Sequence, residues 1–435
     1  MTGPEECVAE SGFPLTRPQQ RMLALHRKSP QADMLARAFL LRGPLDVPTL
    51  ARAVAWSARK GPVLSSVIRE GDAAATRRQG ESIRLQVEEP ARRACMDSAM
   101  VALQHAIARP FDLARGPLLR VIVIPVTEEE HLFLFHAHHI VVDGYSIALG
   151  LQGVIEGYAA LRQGGVLEAQ EPEDGLARIA HADAGYHASE SGLRDAAYWS
   201  KKLESAACVP ERRADEAAPS IASAVCASEL DGEAFSLVAN AAKKVGTTRP
   251  GLYAAAFQQV LETAQPGSSL STTFTLRRTA SLLRVLGPLM TYGLLTTPRT
   301  RETFQARALR LGEEIRLGQV HARGADTIGP HGTHPDALPL HRTALISFHV
   351  QKRFTQLSLG YGGGASDILA GLTMENVALQ TRFVPYGLFL SVGELQGKSA
   401  MLLVYNRTLY RKDQARAILD EVRQVLLESA AALVD

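Results

Sequence analysis

The sequence predicts an α/β protein built as two lobes, and three observations carry that expectation. At 435 residues the chain is longer than one hydrophobic core supports. Helix-period and strand-period patterns occur in both halves. A polar, acidic, aperiodic stretch from Glu168 to Asp174 reads as the connection between them. The division predicted is residues 1–175 for an N-terminal lobe and 176–435 for a C-terminal lobe.

Thr16-Arg17-Pro18-Gln19 forms a capping box with proline in the first turn, so a helix follows through about Leu25. A second helix starts after Asp46, near Pro48, with Leu50, Val54 and Ser57 or Trp56 inward. Val63 to Arg69 and Ser82 to Glu88 read as short strands, and Asp97 to Ala108 as a helix. Leu118 to Val126 and His131 to His139 flank a turn of Thr127 and three glutamates, which is the pattern of a hairpin. Ile147, Leu151, Val154, Ile155, Tyr158 and Leu161 recur at helical spacing after Ser146, and Gly164-Gly165 closes that helix. In the second half, helices are expected at 192–205, 232–245, 250–264, 302–321 and 412–430. Strands are expected at 270–276, 344–350, 388–392 and 401–405.

His138-His139-Ile140-Val141-Val142-Asp143-Gly144 ends the hairpin's second strand with two histidines and an Asp-Gly turn, spaced H-H-x-x-x-D-G. Side chains alternate faces along a strand, so the two imidazoles cannot share one pocket. One packs and the other is placed at a strand-to-loop junction, where clefts form. An imidazole titrating near pH 6.5 can take a proton at cellular pH, whereas an ionised carboxylate such as Asp143 holds one poorly.

With these residues in place, the chain resembles the condensation domains of nonribosomal peptide synthetases, in the chloramphenicol acetyltransferase-like superfamily. The likeness extends to Phe13-Pro14-Leu15-Thr16 with Gln19-Gln20-Arg21-Met22, to Phe111-Asp112-Leu113 with Gly116-Pro117-Leu118-Leu119-Arg120, to Tyr198-Trp199 with Leu203, and to Tyr405-Asn406 with Leu409. The resemblance implies two acetyltransferase-like lobes in a V-shaped pseudo-dimer, with the active site in a channel between them. It implies that His139 is the catalytic base or orients the nucleophile, beside His138. Asp143 then turns inward to an arginine from the other lobe, and Gly144 leaves room for a pantetheine-borne acyl group. The matching arginine is Arg278, with adjacent Arg277 as the alternative. Tyr145, Ser146, Gly287, Met290 and Tyr292 fall at channel positions.

By the same resemblance no cofactor is bound. The donor is a phosphopantetheine-linked acyl or aminoacyl thioester on an acyl or peptidyl carrier protein, and the acceptor is a small amine or alcohol. Gly287-Pro288-Leu289-Met290-Thr291-Tyr292 lacks the family's asparagine, and Arg59 to Leu64 lacks its histidine and glutamate. Tyr145 stands where tryptophan is common. Those departures touch acceptor-side positions. The sequence contains no adenylation or carrier module, which makes a free-standing condensation enzyme of natural-product biosynthesis the expectation. The alternatives are an acyl-CoA-dependent O-acyltransferase, with CoA as donor carrier, and a recruitment module that has lost catalysis.

Composition excludes other classes. A net charge of +2 with scattered basic residues provides no field for nucleic acid. Cys7, Cys95, Cys208 and Cys226 form no C-x-x-C pair, which reads as reduced thiols rather than a disulfide frame or zinc site. No signal pattern or membrane-length apolar run occurs, so a cytoplasmic protein is expected. Tyr361 to Ser366 is glycine-rich but lacks the Lys-Ser/Thr of a phosphate loop. His321, His331, His334 and His341 in or beside the Gly- and Pro-rich stretch 324–339 read as a surface loop rather than a metal site.

Overall fold

A computed structural model describes residues 12–70, 76–90, 95–168, 174–205, 220–264, 269–296, 302–327, 343–350, 366–369, 371–379, 382–395 and 397–435. Residues 169–173 of the predicted connection, Cys7, Cys208, residues 361–365, His331, His334 and His341 lie outside that set.

The chain forms two compact units, and neither is one continuous stretch. The first takes the described parts of three stretches, Met1–Gly185, Arg277–Leu289 and Arg353–Leu379. The second takes the described parts of Tyr186–Leu276, Met290–Lys352 and Gln380–Asp435. The sequence predicts one cut, at residue 175, whereas in the structure two later segments return to the first unit.

The first unit holds a six-stranded sheet in the order Ser366–Leu369, Leu372–Val377, Met34–Arg42, Glu130–His138, Leu119–Pro125, Leu85–Val87. The hairpin pairs antiparallel with Val121 opposite Phe135. Met34–Arg42 runs antiparallel to its other side, with Met34 opposite His138. One sheet face buries Ala38, Leu40, Ile122, Ile124, Leu132 and Leu134 against Ala99, Leu103, Ala106 and Ile107 of the helix Met96–Ala108. On another side, Ser57 of the helix Val47–Arg59 donates to the Gly150 carbonyl of the helix Gly144–Arg162 at 2.9 Å. A small second sheet joins Phe13–Pro14, Thr76–Gln79 and Ser66–Arg69, and its Arg77, 2% exposed, pairs with Asp174.

The helix expected after Thr16 runs over Arg17–Lys28, with the Thr16–Gln19 capping box formed. Of the strand expected at Val63 to Arg69, the first part is a 3-10 turn, Pro62–Ser65, and only Ser66–Arg69 is extended. Met34–Arg42 was not expected as a strand. Its Leu, Ala, Met and Arg residues are helix formers without β-branching, and pairing on both edges overrides that preference. The helix Gly175–Ala188 and the strands Ala222–Leu230 and Leu372–Val377 were also missed.

The second unit holds a seven-stranded sheet in the order Met290–Leu295, Ser269–Thr275, Thr343–Val350, Leu388–Leu395, Lys398–Asn406, Ala222–Leu230, Arg382–Phe383. Leu270, Ala344, Ile346, Leu388, Leu390, Val392, Met401 and Leu403 belong to one core with residues of the helices Gly232–Val245, Arg249–Ala264, Phe304–Val320 and Lys412–Val434. Asn406 of the Tyr-Asn motif is buried; its amide donates to the Ser220 carbonyl at 2.6 Å and its oxygen accepts from the Thr408 backbone at 2.8 Å. That motif residue therefore shapes a turn. Among the described residues no helix is long and apolar enough to cross a membrane.

Candidate active site

The strand Glu130–His138 ends at the first histidine of the motif. His138 is fully buried, while His139, in the turn that follows, is half-buried. The backbone of that turn is held at each point. The His139 N–H donates to the Asp33 carbonyl at 2.7 Å, the Ile140 N–H donates to His138 Nδ1 at 3.1 Å, and the Ile140 carbonyl accepts from Gln19 Nε2 at 2.9 Å. Asp33 has φ +57°, a left-handed conformation that Asp tolerates better than most residues.

Burial, joined by the charges of His26, His139 and His136, holds the His138 pKa well below its ordinary value, so the ring is neutral. Burial also pushes the Asp33 carboxyl upward, against opposing pulls from His139, Arg21 and His26. The His139 ring is not consumed by packing bonds: its Nδ1, shielded from water, has no hydrogen-bond partner among the described residues.

Asp143 caps the helix Gly144–Arg162, its Oδ1 accepting the Ser146 N–H at 2.8 Å. Its Oδ2 accepts from Arg277 Nη1 and from the Leu289 N–H, the latter at 3.0 Å. Burial alone would raise this carboxyl, but the Arg277 charge, the Ser146 amide and the Arg277 hydrogen bond outweigh it and keep the pKa below the usual carboxylate value.

The arginine is thus Arg277 and not Arg278, which corrects the first choice made from sequence. The extended strand Ser269–Thr275 has ended, and Arg277 turns inward to 8% exposure while Arg278 is left exposed. Arg277 also folds with the first unit, in the returning segment Arg277–Leu289, rather than with the lobe its sequence position suggested. Its Nη2 donates to Ser146 Oγ at 2.9 Å and to the carbonyls of Gly287 at 3.0 Å and Val285 at 3.2 Å. Its guanidinium lies 4.8 Å from the centre of the Tyr145 ring.

Tyr145, Ser146 and Gly287 are therefore brought to the Asp143–Arg277 pair. Gly287 has φ +137°, and a Cβ there would meet Leu176 Cδ2 at 2.8 Å, so glycine is required by both backbone and space. Met290 and Tyr292 lie instead on a strand of the second unit, where Tyr292 clusters with Leu345 and Tyr386. Among the described residues, a Cβ built on Gly144 meets nothing within 4 Å beyond its chain neighbours.

His26, Gln19 and Asp33 were not singled out from sequence as part of this arrangement. Gln19 is expected from sequence only as part of the Thr16 capping box. His26 is a lone histidine in the last turn of a helix, and only the fold puts it beside His138. Among the described residues no group of three or more His, Cys, Asp or Glu could hold a metal ion.

The family described as "Condensation domain" matches residues 9–433, and the chain belongs to that family. It is similar to one of the linear gramicidin synthase proteins of Brevibacillus parabrevis, at 23% identity over 96% of this chain, and spans 8% of that protein's length. Among solved structures it resembles the X-domain in its complex with OxyB from teicoplanin biosynthesis, with TM-score 0.78, 22% identity and coverage of 99% of this chain and 94% of that one. It also resembles the first condensation domain of the calcium-dependent antibiotic synthetase in complex with a substrate analogue, with TM-score 0.74, 19% identity and 98% coverage of both. The mixed α/β fold is that of condensation domains.

Proposed function

We infer that the protein joins a carrier-tethered acyl or aminoacyl thioester to an amine or alcohol acceptor as a condensation enzyme, with His139 as the proton acceptor. One observation carries this reading. Both oxygens of Asp143 are committed, Oδ1 to Ser146 and Oδ2 to Arg277 and Leu289, whereas His139 is held through its backbone N–H and its ring Nδ1 has no hydrogen-bond partner among the described residues. Of the motif's two candidate bases, only the histidine is left for chemistry.

In the step proposed, the acceptor nitrogen or oxygen attacks the thioester carbon and passes its proton to His139. The C–N or C–O bond forms, the C–S bond breaks, and the proton goes to the departing thiolate of the phosphopantetheine arm. No nucleotide is required, because the thioester is already activated. Gly144 supports the approach of a thin arm, since the space at its Cβ position is open.

A second reading is a docking module for a partner enzyme. It is supported by the likeness to an X-domain solved with OxyB. The intact His-His-x-x-x-Asp-Gly core and the uncommitted His139 ring count against it.

One acyl group presented on a carrier protein, on CoA and on a short thiol, with amine and alcohol acceptors, tests the proposal by product mass and rate. The carrier donor is expected to react fastest, because docking raises the local donor concentration. Equal or faster turnover of acyl-CoA would replace this reading with an O-acyltransferase. No turnover from any donor, together with binding of a partner enzyme, would replace it with docking.

A further inference from the structure

His26 stands half-buried in the last turn of the helix Arg17–Lys28. Its Nδ1 lies 3.2 Å from His138 Nε2, and the two rings meet edge to face at 5.0 Å. The other nitrogen of His138, Nδ1, receives the Ile140 N–H at 3.1 Å. A backbone N–H can only donate, so His138 Nδ1 must present a lone pair, and the neutral ring's hydrogen must sit on Nε2. That hydrogen points at His26, whose Nδ1 must therefore accept. The chain of bonds has a single polarity, from Ile140 through His138 to His26.

The consequence reaches His139, because Ile140 is the next residue in the turn that carries it. Gln19, from the same helix as His26, holds the Ile140 carbonyl at 2.9 Å. We propose that His26 is a positioning residue for His139: by accepting the His138 Nε2 hydrogen it fixes the His138 tautomer, keeps His138 Nδ1 on the Ile140 amide, and so holds the turn that presents the His139 ring. This rests on the reading of His139 as the proton acceptor.

Protonation of His26 would place two N–H groups face to face and break the relay. Burial lowers the His26 pKa against the opposing charges of Asp33 and Asp112, so the accepting form is favoured near neutral pH. Asp33 faces His139 and Arg21 as well.

The test uses the full chain carrying 15N-labelled histidine, as wild type, His26→Asn and His26→Leu. Asparagine places an acceptor oxygen near the position of Nδ1; leucine provides none. In the wild type, His138 should give the ring 15N pattern of a neutral Nε2–H tautomer. His26→Leu should lose that single tautomer, speed exchange of the Ile140 amide, and lower kcat by up to about 100-fold with KM little changed, since misplacement of a reacting group acts on the chemical step. His26→Asn should restore all three. An Nδ1–H tautomer in the wild type, or a leucine variant with unchanged kcat, would overturn the proposal. Failure of the condensation reading would appear as no turnover in any form, wild type included. The tautomer and the Ile140 amide exchange then decide alone: changes in His26→Leu but not His26→Asn uphold the relay, and unchanged signals overturn it.

Discussion

Arg277 donates from Nη1 to Oδ2 of Asp143, with side-chain exposures of 4% and 5%. An ion pair so far from water carries a desolvation cost that only its mutual attraction and its hydrogen bonds offset.

Removing one partner should therefore damage the fold. Asp143→Ala or Arg277→Ala is expected to cost about 3–5 kcal/mol, because the remaining charge is buried alone. Arg278→Ala should change stability by less than about 0.5 kcal/mol, as for most exposed positions. Chemical denaturation of the three variants checks this. An Asp143→Ala protein as stable as wild type would mean that the pair does not support the fold.

His139→Ala should behave in the opposite way. Turnover should fall on the order of 100- to 10,000-fold, the usual worth of a general base, with the melting temperature close to wild type. Steady-state rates beside circular dichroism measure both. Near-normal turnover in a folded variant would remove His139 from the proton-transfer step.

The pH response of stability has a sign fixed by His136. Burial, then the charges of Arg120 and Arg109, lowers its pKa to about 3 in the folded protein. The unfolded chain takes up this proton near pH 6.5. Because the folded value is the lower one, the contribution is complete above about pH 6.5 and is lost as pH falls toward 3, by up to about 1.4 kcal/mol per pH unit. His136→Leu should flatten the acid side of the stability profile by roughly one proton compared with wild type. Identical slopes for the two proteins would show that His136 is protonated in the native state.

Gly144→Ala offers a steric test of the open space. Among the described residues, chain neighbours aside, nothing meets the added methyl group, and alanine is a better helix former than glycine, so stability should hold or rise slightly. Turnover should drop all the same, most for the bulkiest acyl donors. A variant with wild-type rates for every donor would mean that the acyl arm does not pass this position.

Much of the first unit could be read from the chain because its signals are local. The capping box at Thr16 and the hairpin around Glu128 to Glu130 each depend on residues a few positions apart. Strand alternation predicts that His138 and His139 differ in orientation, but the strand ends at His138 and it is the turn after it that carries His139. The partner of Asp143 could be narrowed only to two neighbours, because the strand that orients them ends at Thr275, short of both. His26 and Asp33 carry no local signal, because Asp33 reaches the site through the pairing of Met34–Arg42 with Glu130–His138 and His26 through the helix Arg17–Lys28 lying beside His138, neither of which a short-range pattern encodes. The same holds for Arg42, which pairs with both Glu130 and Glu375 across strands far apart in the sequence.

The returning segments also set an order of assembly. A ribosome releases Met34–Arg42 long before one of its neighbours in the sheet, Leu372–Val377, which emerges only after most of the second unit has been made. Until then that edge is open, and an open edge invites pairing with other chains. Asp143 waits in the same way for Arg277. The first unit therefore cannot mature until much of the second has been synthesised, and a fragment of residues 1–175 made alone would be left with an uncovered strand and an unanswered charge at the place where catalysis is proposed.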